Sequence, residues 1–230
     1  MPHDPRAVLF DLDDTLYPLE QFLKSGFRAA AVHVEKTWGY AAERALAVLT
    51  AASAAARGRE FDLLAERLLL PAGAVATLIG VLREHEPRLR LSASTTGVLV
   101  AMRATWRVGI VTNGRADIQA RKVAALGLAP LVDTIVLAAE HGTGVGKPEA
   151  APFLAACDAL GVAPAQTVFV GDDAACDMAG ARALGMATIW VPAGAAAPSA
   201  SVSDLVLPSL VGVPAAASQL LASRWSSHVA

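Results

Sequence analysis

Asp11, Asp13 and Thr15 follow directly on the apolar run Ala7 to Phe10, in the stretch AVLFDLDDTLY. Two acids two residues apart share one side of an extended backbone, so both can face one site. Like charges held together resist ionisation, and a bound cation is the natural partner that allows it. The plain alternative is an acidic turn, where Asp is common because it bonds its own backbone.

Three later segments bear on the choice. The run Arg107 to Val111 ends in Thr112-Asn113-Gly114. Thr134 to Leu137 leads into a glycine-rich loop, Gly142 to Gly146, and then Lys147-Pro148. Thr167 to Val170 runs into Gly171-Asp172-Asp173, with Asp177 just beyond. Acids, a hydroxyl with free amides, and one ammonium along the carboxyl edge of one sheet suit a divalent cation plus a phosphate. Mg²⁺ prefers carboxylate oxygens. A phosphoryl group takes a point charge such as Lys, and small-residue loops whose N–H groups can approach it. Singly, Lys147 reads as a surface lysine, Thr112 as a strand end and Asp172-Asp173 as a helix N-cap pair. Together, each at a strand's carboxyl end and in this order, they point to a site.

The elements that must position these residues follow from the hydropathy pattern. An unbroken apolar run bounded by polar residues is a short strand buried on both faces, as in a parallel sheet, and ligands bind at the carboxyl ends of such strands. Apolar runs at 7–10, 107–111, 134–137, 167–170 and 187–191 alternate with helical patterns, which calls for βαβ units. Helices are expected near 95–105, over 116–126 with Gly127 as the stop, over 153–160 closed by Gly161, and around Asp177. The tail from Gly194 is rich in Ala, Ser and Pro, with a strand at 204–207 and a helix after Pro214. Between Pro18 and Pro87 the pattern is helical throughout. Leu19, Phe22, Leu23 and Phe27 share one face with Gly39 as a stop, and helices follow at 41–57, 61–70 and 72–84. A small bundle packing its own core fits this stretch, with Trp38-Gly39-Tyr40 as packing rather than recognition.

Composition narrows the classes. At 230 residues the chain holds one large domain, or a core with a smaller insert. Its 54% hydrophobic and 17% charged content supplies ample core and no disorder signature. The formal charge of −2, with no block of Lys and Arg, does not indicate a nucleic-acid surface. No apolar run approaches the roughly 18 residues of a membrane span. The start MPHDPRAV lacks a basic region followed by an apolar stretch, so no secretory signal and a cytoplasmic location are expected. Cys157 and Cys176 fit reduced thiols on helices.

The four motifs together resemble the haloacid dehalogenase-like (HAD) hydrolases, most of which are phosphatases. The first is VLFDLDDTLY, the second IVTNG at 110–114, the third VGKPE at 145–149, and the fourth VFVGDDAACDMAGARALGM at 168–186. TNG followed by Gln119, Lys122 and LGL at 126–128 is similar to the branch acting on nucleotide and acylsugar phosphates. One departure is the loop HGTGVGKP, longer and richer in glycine than the pattern. The resemblance implies an α/β fold: a Rossmann-like parallel sheet flanked by helices over residues 1–16 and 91–230, with a small all-helical cap at 17–90.

Carried onto this sequence, the resemblance implies a Mg²⁺-dependent phosphatase acting on a small phosphorylated metabolite, a nucleotide or sugar phosphate. Asp11 would attack phosphorus and form an aspartyl-phosphate that water hydrolyses. Asp13 would protonate the leaving oxygen and later activate the water, its carbonyl oxygen helping to hold the metal. Thr15 would fix the turn that aims Asp13. Thr112, Asn113 and Gly114 would bind phosphate oxygens, and Lys147 would balance charge on nucleophile and phosphate. Asp172 would ligate Mg²⁺ with Asp11, Asp177 supporting it or a bound water, and Asp173 standing outside the set. Metal-free dehalogenases lack an acid at position 13, so Asp13 argues against that activity. Sugar phosphomutases usually follow the second acid with Gly-Val rather than Asp14-Thr15. Phosphonate hydrolysis needs a cap lysine, and Lys24 and Lys36 have no distinguishing context. The alternative of another class is a silent phosphate-binding module, which loss of a motif residue would have favoured. Tyr17, Glu20, Gln21 and Arg28 are candidates for substrate selection.

Overall fold

The computed structural model describes residues 6–193 and 202–226. They divide into two compact units, Leu19–Leu89 and a second formed by the chain on either side of it.

The second unit is built on a parallel sheet of β1 (Ala7–Phe10), β2 (Arg107–Thr112), β3 (Thr134–Leu137), β4 (Thr167–Gly171), β5 (Ala187–Trp190) and β6 (Leu205–Val206). The strand order is β3-β2-β1-β4-β5-β6. Parallel strands covered on both faces select continuous apolar sequence, and β1, β4 and β5 are buried at every position. Phe10 sits in register with Ile110 on one side and Val170 on the other. Chain order runs outward one way from β1 and the other way from β4, so the crevice between their carboxyl ends is the switch point where such sheets bind ligands. Asp11 leaves β1 there, its N–H still donating to the Val170 carbonyl at 2.9 Å.

Helices α5 (Ala93–Arg103), α6 (Ala116–Ala125), α7 (Ala150–Leu160), α8 (Ala179–Ala183) and α9 (Val213–Ser226) complete this unit. Its core gathers Leu9, Phe153, Phe169, Met178 and Met186, with the Phe153 and Phe169 rings edge to face at 5.0 Å. Edge-to-face aromatic pairs are favoured over sandwiches by the ring quadrupole. The strand and helix expected beyond residue 204 are β6 and α9, whereas 194–201 lie outside the described residues.

The helix expected around Asp177 differs in form. Residues 174–178 make a widened turn before α8, in which the Met178 N–H reaches back five residues to the Asp173 carbonyl. The Asp173 carboxylate caps this turn, accepting from the Ala175 and Cys176 N–H groups at 2.8 Å each.

The unit Leu19–Leu89 carries α1 (Glu20–Trp38), α2 (Ala42–Ala55), α3 (Glu60–Leu68) and α4 (Ala74–Glu84). Apolar faces repeating every three to four residues bury Phe27, Val34, Leu49, Phe61, Leu64 and Leu78 in a core of its own. α1 stops at Gly39, which adopts the left-handed conformation and bonds back to Glu35. Among the described residues no helix is long and apolar enough to cross a membrane.

Candidate active site

The site grows from the ends of β1, β2 and β4 and from the loop after β3. Asp11, the residue after β1, is buried, and its Oδ1 lies 2.5 Å from Lys147 Nζ. The same ammonium lies 2.7 Å from Asp177 Oδ1, with Lys147 and Asp177 side chains each only 1% exposed. Ligating oxygens of Asp11, Asp172 and Asp177 all fall within 4.8 Å of one another. Burial of three carboxylates this close costs several kcal/mol per ion unless cations offset it.

The electrostatics bear this out. Burial, reinforced by Asp177 and Asp13, pushes the Asp11 carboxyl up to about 7 although Lys147 pulls the other way. Burial and the neighbouring Asp177 and Asp14 push Asp172 to about 6. Burial opposes charge on Lys147, yet Asp11 and Asp177 outweigh it and hold the ammonium above its ordinary range. One ammonium among three acids leaves the cluster short of positive charge. Carboxylate oxygens alone make up this group, a hard-donor set that fits Mg²⁺.

Lys147 reaches the site because its main chain is fixed. Asn113 at the end of β2 accepts from the Lys147 N–H at 2.7 Å and donates its amide to the Lys147 carbonyl at 2.9 Å. The glycine-rich loop approaches closely enough only because Gly146, at φ 93°, carries no side chain: a Cβ there would meet Asn113 Oδ1. Asp177 depends on a similar vacancy. A Cβ on Gly171 would overlap the Asp177 carboxylate, so the last residue of β4 must be glycine for that acid to pack against the strand.

Asp13 faces different company. The backbone does not stay extended past Asp11: Leu16 N–H bonds the Leu12 carbonyl and Asp14 takes φ 56°, so the chain turns back. Asp13 and Asp11 still line one cavity of about 190 Å³ with Asn113, Lys147, Asp172 and Asp177. The Asp13 carboxylate, however, bonds Tyr17 Oη at 2.6 Å, Gln119 Nε2 at 2.9 Å and Lys122 Nζ at 2.7 and 2.8 Å. Burial, then Asp13, Asp14 and Asp11, holds the Tyr17 phenol far above its ordinary range, so it is a donor. Thr15 donates to Asp172 Oδ1 at 3.3 Å, tying β1's turn to the end of β4. Thr112 is buried and receives the Gln119 amide. Trp190 Nε1 holds the Asp172 carbonyl at 2.7 Å.

A family model described as haloacid dehalogenase-like hydrolase matches residues 5–185. The chain belongs to the haloacid dehalogenase-like hydrolases. Among curated HAD relatives, the glyceraldehyde 3-phosphate phosphatase of Methanocaldococcus jannaschii is 28% identical, covering 82% of this chain and 86% of its own. The ribulose-1,5-bisphosphate 5-phosphatase of Halopiger xanaduensis is 30% identical, with coverage of 80% and 83%. Among solved HAD structures, the phosphatase of Thermococcus onnurineus superposes with a TM-score of 0.60 at 22% identity, covering 90% of this chain and 95% of its own.

Asp11, Asp13, Thr15, Thr112, Asn113, Gly114, Lys147, Asp172 and Asp177 thus belong to one unit, with Tyr17, whereas Glu20, Gln21 and Arg28 belong to Leu19–Leu89. Sequence reasoning missed the contacts Tyr17, Gln119 and Lys122 make with Asp13, the Asn113 side chain as the grip on Lys147, and the Trp190 indole. Gln119 and Lys122 did carry a signal, the i,i+3 spacing that puts two polar residues on one helical face.

Proposed function

We propose that this HAD hydrolase is a Mg²⁺-dependent phosphatase that releases phosphate from a small phosphorylated metabolite through an aspartyl-phosphate on Asp11. The observation that carries the reading is the Asp11 carboxylate at the β1–β4 crevice, flanked by the Lys147 ammonium and by Asp172 and Asp177. Its cavity, about 190 Å³, is below the roughly 300–1,000 Å³ of pockets that enclose whole ligands and suits a phosphoryl group.

Asp11 is the nucleophile, positioned by the strand that ends at Phe10 and by its bond to Lys147. The Lys147 ammonium spreads over nucleophile and incoming phosphate, which lowers the repulsion between two anions. The Thr112 hydroxyl and the Asn113 and Gly114 amides take phosphate oxygens. Asp13 gives its proton to the leaving oxygen and then removes one from the water that attacks the aspartyl-phosphate. Asp11, Asp172 and the Asp13 carbonyl would hold Mg²⁺, with Asp177 beside them, and the bound ion would supply Lewis-acid charge to the phosphoryl oxygens. The unit Leu19–Leu89 serves as the cap that selects substrate.

Two relatives, with more than four-fifths of their length matched, are named for triose and pentose phosphates, which makes sugar phosphates the first class to try. The test is phosphate release from a panel of sugar phosphates and nucleotides with Mg²⁺ and with a chelator. Turnover of at least one ester that stops with the chelator is expected. Halide release from haloacids without metal, and no phosphate from any ester, would sink the proposal.

A further inference from the structure

Helix α6 buries polar residues. Its buried positions are Gln119 and Lys122, 2% and 4% exposed, one turn apart on one face. Lysine is almost never this buried unless paired. What both side chains meet is Asp13. Lys122 Nζ bridges its two oxygens, Gln119 donates to Oδ2 at 2.9 Å, and Tyr17 donates to Oδ1 at 2.6 Å. Each of these four contacts comes from a donor group and ends on a carboxylate oxygen. The Gln119 amide also lies 2.5 Å from Thr112 Oγ1, so one side chain spans Asp13 and the end of β2.

We propose that Lys122 is a positioning residue for Asp13: with Gln119 and Tyr17 it fixes the carboxyl for proton exchange with the leaving oxygen and meets the charge that exchange creates. The proposal rests on the phosphatase reading. In the first half-reaction the bond from an Asp11 oxygen to phosphorus forms and the phosphorus–ester oxygen bond breaks. The ester oxygen keeps that electron pair and takes the Asp13 proton, which leaves Asp13 as the carboxylate bonded as seen here. In the second, water adds to phosphorus while Asp13 takes its proton, and the Asp11 oxygen departs with the electron pair. Lys122 is thus an ammonium already in place beside the oxygen pair whose charge changes in both steps, at no cost in reorganisation.

Leaving groups separate this role from a structural one. An alkyl alkoxide needs a proton as it departs, whereas dinitrophenolate does not. General acid catalysis is worth roughly 10²–10⁴-fold, and Lys122→Met should forfeit part of it, lowering the first-turnover rate on a sugar phosphate by roughly 10- to 100-fold. The first-turnover burst of dinitrophenolate draws no proton from Asp13, so it should stay near the parent's rate and report that the variant is folded. Steady-state turnover of both esters falls, because they share the second half-reaction. Lys122→Arg should recover part of the sugar phosphate rate, and Gln119→Ala and Tyr17→Phe should show the same split more weakly. Equal loss in the first turnover of both esters would overturn the inference in favour of a structural role. A rise in KM with kcat unchanged would overturn it in favour of a direct substrate contact. Phosphate from neither ester with the parent would overturn the phosphatase reading beneath it, and a parent active on both whose variants show no first-turnover split overturns this inference alone.

Discussion

At the scale of single residues, the dominant fact is a shortage of positive charge. Oxygens of Asp11, Asp172 and Asp177 lie within 4.8 Å of one another with one ammonium, Lys147, paired to Asp11 and Asp177. Burial lifts the Asp11 carboxyl to about 7 and Asp172 to about 6. Asp11 faces Lys147, Asp177 and Asp13, while Asp172 faces Asp177, Asp14 and Thr15. A carboxyl whose proton is held more tightly in the fold than in the unfolded chain stabilises the fold fully below its unfolded pKa. That contribution is lost as pH rises through the folded value. The metal-free protein should therefore lose thermal stability between about pH 4 and about pH 7, the range set by these two groups. Added Mg²⁺ competes with the same protons, so its stabilising effect should be larger at the upper end. Thermal melts with and without Mg²⁺ at both ends of that range test this, and Asp172→Asn should shrink the Mg²⁺ effect. A Mg²⁺ shift larger at the acid end would contradict the charge shortage.

At the scale of elements, what was legible in the sequence was what burial dictates. β1, β4 and β5 lie within the sheet and are buried at every position, apolar but for Thr167 and Thr188, so their runs stood out. The branch resemblance noted TNG, Gln119 and Lys122, yet not what those side chains touch. α6 turns polar residues inward, and a hydropathy reading assigns such residues to the surface. The widened turn at 174–178 was equally hidden, because Asp173 as an N-cap announces a helix and not its pitch. Gly171 shows how narrow the tolerance is. A methyl group there overlaps the Asp177 carboxylate, so Gly171→Ala should cost roughly 1–3 kcal/mol of stability by overpacking. Displacing Asp177 also frees one side of Lys147, so activity should fall further than stability does. Denaturant midpoints and kcat measured together check this, and parent-like values for both would show that the strand end has room to spare.

At the scale of the molecule, the residues proposed to do the chemistry all come from the unit formed by the two ends of the chain, while Leu19–Leu89 folds around its own core. The insertion enters just after the Asp13 turn and returns ahead of α5, so the site is assembled from segments more than a hundred residues apart: Asp11 meets Lys147 and Thr15 meets Asp172. The sheet brings them together, since parallel strands put every carboxyl end on one edge. Sequence alone could place each residue at a strand end but not the strand order that makes β1 and β4 neighbours. The central claim is that Asp11 is the atom donor to phosphorus, and trapping tests it most directly. The parent, mixed with a labelled sugar phosphate and quenched in acid, should carry the phosphoryl label on Asp11, as located by peptide mass spectrometry. Asp11→Asn should carry none and release no phosphate. Phosphate release with no label on Asp11, or the label on another residue, would contradict the account.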